Sequence, residues 1–281
     1  MTQAPGTVSR ILWHFTGGPK WDAVEDRQEN TPKTEKAAYE ALISILKSRE
    51  VRVGQYREAA KVRVPKLRRY NSETKRFEEQ KNVLVRLLSS RVCCLTDIPI
   101  AHLSYHANRY GKFAIGFHRD AAVRCKFNPV FYTLHDAEVL RFVYEGLAGL
   151  QGVDLSPFEY VVCNANLTCE HGHEAESGDL EDDIWTEAEY VQETVNVAKR
   201  SFEHFLAFVK TFDQSEFSTI YCEREWRSVE TFSFTFDDVA MIVVPKGKNK
   251  TSYFRKFIEE SMAIRFPRRI PVVPWEDLLE H

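Results

Sequence analysis

Short apolar runs closed by Gly, Pro or Asp alternate with segments of helical period, and this punctuation restricts the chain to a sheet with helices packed on it. The first run, Arg10-Ile-Leu-Trp-His-Phe-Thr16, stops at Gly17-Gly18-Pro19 and reads as a buried strand with His14 and Thr16 on one face. Arg91-Val-Cys-Cys-Leu-Thr-Asp-Ile-Pro99 reads as a central strand followed by a turn. Phe113 to His118 and Pro129 to Thr133 are two further strands, separated by a short helical piece with Asp120 in its first turn. Ala38, Leu42, Ile45 and Leu46 recur at helical spacing between Thr34 and Arg49, with Thr34 as the N-cap. Ile100 to Tyr110 predicts a second helix ending at Gly111, and Ala137 to Leu150 a longer one. This order admits an α/β sheet as readily as an α+β one.

In the second half, Val191, Val195, Ala198, Phe202, Phe205, Leu206 and Val209 make an apolar stripe that predicts one long helix from Trp185 to Phe212. Ser218 to Cys222 and Trp226 to Phe234 read as strands around Glu223-Arg-Glu225. Val239 to Val244 is a buried strand, and Lys250 to Phe266 a final amphipathic helix.

Two segments break the pattern by charge. Residues 47 to 76 hold eleven Lys or Arg against three Asp or Glu, with Pro65 in the middle, and are expected as an exposed basic excursion extending to about residue 80. Glu170 to Glu189 holds nine acidic residues and no Lys or Arg, and the expectation is an acidic loop over about 164 to 190. The 281 residues otherwise read as one α+β domain, and a hydrophobic fraction of 43% excludes an overall disordered chain. A formal net charge of −3 does not mark the whole molecule as a nucleic-acid or membrane binder, although Tyr56 and Tyr70 among the cations of the basic segment suit a nucleic-acid contact. The six cysteines lack framework spacing and the N-terminus lacks a signal-peptide core, so a reducing cytoplasm is expected. No window approaches the roughly 18 consecutive apolar residues of a membrane span.

Candidate chemistry is concentrated in four places. Glu223 and Glu225, two apart, would share one face of an extended segment, where a carboxylate pair does acid–base or cation-stabilising work; paired to Arg224 or Arg227 they would instead be structural. His14 and Thr16 can together fix a ribose or phosphate, or His14 can be a core residue between Trp13 and Phe15. Thr96 ends the second strand, and Asp97 beside it can cap the helix that follows. Cys163, Cys169, His171 and His173 are four potential zinc ligands in eleven residues, without a standard spacing.

Several strings, in order, resemble the bacterial AbiGi abortive-infection family: Trp13-His-Phe-Thr16, Val92-Cys-Cys-Leu-Thr-Asp-Ile-Pro-Ile100, His106-Ala-Asn-Arg-Tyr-Gly111, Phe113-Ala-Ile-Gly-Phe117 and Asn128-Pro-Val-Phe-Tyr132. The resemblance implies phage defence beside a toxin or another defence-system protein, with this chain as its antitoxin partner. More loosely, His14, Thr96 and Glu225 follow the strand order of the ADP-ribosyltransferase superfamily, and Glu223-x-Glu225 looks like the paired glutamates of its arginine-modifying members. That likeness implies an α+β fold with a mixed sheet of short strands and flanking helices. It also implies NAD as the cofactor, Glu225 and Glu223 as catalytic carboxylates, and Tyr105 or Tyr110 as the aromatic wall for nicotinamide.

Overall fold

The computed structural model describes residues 9–22, 24, 27–29, 31–71, 73–151, 193, 195–216, 223–246 and 252–278. The strands are β1 (Ile11–Phe15), β2 (Trp21–Asp22), β3 (Arg27–Gln28), β4 (Glu50–Val51), β5 (Arg57–Asn71), β6 (Arg76–Arg91), β7 (Cys93–Thr96), β8 (Ala114–His118), β9 (Asn128–Pro129), β10 (Phe131–Leu134), β11 (Val209–Phe212), β12 (Glu225–Ser228), β13 (Phe232–Ser233), β14 (Val239–Val244) and β15 (Val272–Pro274). The helices are α1 (Glu35–Ser48), α2 (Leu103–Tyr110), α3 (Arg119–Arg124), α4 (Glu138–Gln151), α5 (residues 195–207) and α6 (Tyr253–Ser261). The class is α+β.

Seven strands form one mixed sheet in the order β15-β14-β8-β1-β7-β12-β9, antiparallel throughout except for the β14–β15 pair. Alternate residues of its central strands enter different cores. Leu12, Ile115, Phe117, Ile242 and Val244 join one cluster with Leu42 of α1 and Phe257 of α6. Trp13, Phe15, Ala114 and Val243 join another with Ile98, Leu103 and Trp275. Both faces are therefore covered, which is why these strands read as continuous apolar runs rather than as alternating ones.

Helix α1 forms where its sequence predicts it. The Thr34 hydroxyl accepts from the Ala37 N–H at 3.3 Å, and Arg49, left-handed at φ 56°, closes the other end by donating its N–H to the Ile45 carbonyl. Ala38, Tyr39, Leu42, Ile43 and Leu46 face inward. A fully buried leucine such as Leu42 contributes about 1.5–3 kcal/mol.

The chain divides into two compact units, Met1–Ala60 with Leu88–Leu134 and Ala207–His281, and Lys61–Leu87 with His135–Leu206. The first holds the seven-stranded sheet. The second holds α4, most of α5 and the outer part of the β5–β6 hairpin.

Several elements differ from expectation. The single strands expected over Pro129 to Thr133 and Trp226 to Phe234 are each divided, into β9 and β10 and into β12 and β13, with the two parts in different sheets. The basic excursion is a ribbon of two long paired strands, β5 and β6. In β5 Ala60, Val62 and Val64 are buried while Lys61 and Arg63 are exposed, a period-two pattern in which cations take the solvent face, and Pro65 fits a sheet of only two strands, both of them edge strands. The helix expected to reach Phe212 stops at 207, because Val209 to Phe212 pair in parallel with Phe131 to Leu134. Val209 and Phe212, three apart, fit a helical stripe and are equally buried as strand residues. Asp97 does not cap the following helical turn, whose N-cap is Pro99. The acidic segment, the candidate zinc ligands Cys163, Cys169, His171 and His173, and the strand expected over Ser218 to Cys222 lie outside the described residues, as does the side chain of Tyr70. Among the described residues no helix is long and apolar enough to cross a membrane.

Candidate functional site

Strands β1, β7 and β12 lie side by side, and their register aligns Thr96 with Trp13 on one flank and with Glu225 on the other. At this place a cavity of about 200 Å³ opens in the first unit, lined by His14, Thr96, His106, Tyr110, Glu223 and Glu225 among others. Five of the six residues expected as a site thus meet here, from positions more than 200 apart in the chain. Thr16 does not. Its hydroxyl is buried and donates to the Ala38 carbonyl at 2.8 Å, tying the end of β1 to α1.

The two glutamates reach the cavity by a turn rather than by strand alternation. Strand β12 begins only at Glu225, and Arg224 before it is left-handed at φ 39°. Asp97 fixes that turn twice: its N–H donates to the Arg224 carbonyl at 2.9 Å, and its Oδ2 accepts from the Arg224 guanidinium at 3.1 Å. Burial pushes the Asp97 carboxyl above its ordinary value even though Arg224 opposes the shift. Thr96 donates its hydroxyl to the Glu223 carbonyl, so this residue holds the turn from inside the cavity wall.

Charges form a continuous chain behind the cavity. Arg227, whose side chain is wholly buried, donates to Glu58 at 2.6 Å, to Glu225 at 2.8 Å and to the Ala207 carbonyl at 2.8 Å. Lys210 bridges both site carboxylates, pairing with Glu223 and standing 3.4 Å from Glu225. Glu223 also accepts from Arg109 at 3.0 Å, and Arg109 in turn reaches Gln28 at 3.2 Å. Burial alone would raise the Glu225 carboxyl, but the Arg227 guanidinium and the Lys210 ammonium outweigh it and hold the group ionised, well below the usual carboxylate range. The ammonium of Lys210 is correspondingly held charged: burial disfavours it, and Glu225, Tyr56 and Glu223 more than compensate.

His14, His106, Cys94 and Tyr110 add neutral walls. His14 donates its Nδ1–H to the Cys94 carbonyl at 3.1 Å, which leaves Nε2 as an acceptor, and burial lowers its pKa. Burial likewise pushes His106 down to about 4 and keeps Cys94, beside the Glu225 carboxylate, a protonated thiol. Tyr110 stacks on His106 with centroids 4.3 Å apart, and Arg109 lies 5.4 Å from the Tyr110 ring. Tyr105, the other aromatic candidate, is 54% exposed and does not line the cavity. The Tyr132 hydroxyl accepts the Glu225 backbone N–H at 2.9 Å, and burial raises it to about 12.

Sequence reasoning missed Lys210, which it placed in a helix, and Glu58. Tyr56 was noted only for nucleic-acid stacking, yet it lines the cavity and its hydroxyl donates to Glu58 at 2.9 Å. Arg227 carried a usable signal, since a residue two beyond Glu225 shares its strand face. Among the described residues no group of three or more His, Cys, Asp and Glu is arranged to hold a metal ion.

Comparison with known proteins gives one family. The model described as "Putative abortive phage resistance protein AbiGi, antitoxin" matches residues 66–276, which is more than half of the chain. No curated protein and no solved structure matches.

Proposed function

Because the chain belongs to the AbiGi family, we propose that it acts in cytoplasmic phage defence through a nucleotide-binding cavity at Glu225, with NAD as the ligand. The observation that carries this reading is the convergence of His14, Thr96, Tyr110, Glu223 and Glu225 on one cavity from three adjacent strands and the end of α2.

An ionised carboxylate in a largely apolar wall suits a ligand that develops positive charge. Cleavage of the nicotinamide–ribose bond of NAD is such a reaction, since the ribose becomes cation-like in its transition state. Glu225 would stabilise that charge and accept from a ribose hydroxyl through Oε1, because both of its cations engage Oε2. Glu223, held in place by Lys210 and Arg109, would orient an attacking hydroxyl or guanidine and take its proton. His14 Nε2 accepts a ribose hydroxyl, Tyr110 provides the flat wall for nicotinamide, and Thr96 positions Glu223.

Calorimetry of the intact chain with NAD and ADP-ribose, followed by chromatography for released nicotinamide, tests this. Saturable binding with nicotinamide release is expected. Absence of heat at millimolar ligand overturns it.

The family description favours a second reading, in which the chain is a non-catalytic antitoxin that binds a toxin or another defence-system protein. The exposed cations of the β5–β6 ribbon, Lys61, Arg63 and Lys66, would then meet an acidic partner or a nucleic acid. Co-purification of a co-encoded toxin with a chain that binds no nucleotide would select it.

A further inference from the structure

A second cavity of about 440 Å³ lies in the same unit, holds Lys20, Lys33 and Trp21, and shares Gln28, Gly54 and Tyr56 with the first. We propose that this second cavity is the phosphate half of one ligand site, in which Lys20 and Lys33 clamp the diphosphate of a dinucleotide whose ribose stands at Glu225. The proposal rests on the nucleotide reading of the first cavity and adds which part of the ligand is recognised, and by what.

Size is the first argument. The cavity at Glu225 encloses about 200 Å³, below the roughly 300–1,000 Å³ typical of sites for drug-sized ligands. It takes a ribose and one ring, and a dinucleotide must continue elsewhere. The wall common to both cavities gives that continuation a direction.

Charge is the second. Every cation at the first cavity is already paired: Arg227 with Glu58 and Glu225, Lys210 with Glu223 and Glu225, Arg109 with Glu223, and Arg52 with Glu50 at 3.0 Å. A phosphate there would meet carboxylates. Among the described residues the second cavity has no carboxylate in its lining, and neither Lys20 nor Lys33 makes an ion pair. Lys33 Nζ donates to the Thr16 carbonyl at 3.3 Å and keeps further N–H groups for another acceptor. Burial and then the like charge of Lys20 lower the Lys33 pKa, and Lys33 in turn helps to lower that of His14. Cations that repel one another are relieved by an anion. Tyr56, edge-on to Trp21 at 5.8 Å, forms an aromatic partition against which a nucleoside can lie between the two halves.

The test measures calorimetric affinity of the full chain for NAD, inorganic pyrophosphate and nicotinamide riboside, in wild type, in Lys20→Gln/Lys33→Gln and in Lys20→Arg/Lys33→Arg. The Gln pair should weaken NAD and pyrophosphate by about tenfold or more, the loss of charge-assisted bonds to phosphate, and leave nicotinamide riboside unchanged. The Arg pair should retain most of the affinity, and thermal melts of both variants should match wild type. NAD binding that is equal in wild type and the Gln pair overturns the lysine clamp while leaving the nucleotide reading intact. Lysine-dependent pyrophosphate binding, with no affinity for NAD or nicotinamide riboside, keeps an anion site at these lysines and overturns its link to the Glu225 cavity together with the nucleotide reading. A wild-type chain that binds none of the three overturns both.

Discussion

Glu225 is both a wall of the cavity and the partner of two buried cations, so its removal has a structural and a functional consequence that must be separated. Glu225→Gln keeps the volume and deletes the charge, yet Arg227 retains Glu58 at 2.6 Å and Lys210 retains Glu223. The cost should therefore fall below the roughly 3–5 kcal/mol of an orphaned buried charge, at about 2 kcal/mol. Its pH dependence has a defined sign. The folded carboxyl titrates well below its unfolded value of about 4.3, so its contribution is whole above that value and is lost as pH falls through the folded one. The melting-temperature gap between wild type and variant should hold from neutral pH down to about 5 and narrow below about 4. A gap that widens on acidification would contradict this assignment of the charges. The residue identities at the site were largely legible in the sequence, because the strings around His14, Thr96, Tyr110 and Glu225 are short and local. Lys210 was not, since its role depends on a parallel strand pair between segments far apart in the chain.

Among the elements, α2 is the one whose placement the site needs most, because it carries both His106 and Tyr110. Its C-terminus is set by close backbone approach. A Cβ on Gly17 would lie 2.7 Å from the Tyr110 carbonyl oxygen and 3.3 Å from Gly111 Cα, and Gly111 itself sits at φ 77°. Those contacts are with backbone, which cannot yield as a flexible side chain does. Gly17→Ala should cost about 1–3 kcal/mol and weaken nucleotide binding by displacing Tyr110, while Gly54→Ala, whose Cβ meets nothing closer than 3.9 Å, should be nearly neutral in stability. Melts and calorimetry of the two variants side by side check this, and equal behaviour would contradict it. In the sequence Gly17-Gly18-Pro19 was legible as a strand stop. What it stops against was not, because a stop signal records local conformation and not the partner that approaches. The β5–β6 ribbon escaped for a related reason: cations alternating with Ala60, Val62 and Val64 give the period of a strand, but their number resembles a solvated loop.

For the whole molecule, the strand and helix order admitted the α+β class alongside α/β and the family strings predicted the AbiGi assignment, while the seven-strand order and the division into two units depend on long-range pairings that no local pattern encodes. Membership in that family and the Glu225 cavity meet in one claim, that the chain takes part in phage resistance and does so through this cavity. The most direct measurement is phage plating on cells expressing the chain with its neighbouring genes, comparing wild type with Glu225→Gln at equal protein level by immunoblot. The account predicts that wild type lowers plating efficiency and that Glu225→Gln, folded and present, returns it toward that of cells without the system. Full protection by the folded Glu225→Gln chain would contradict it.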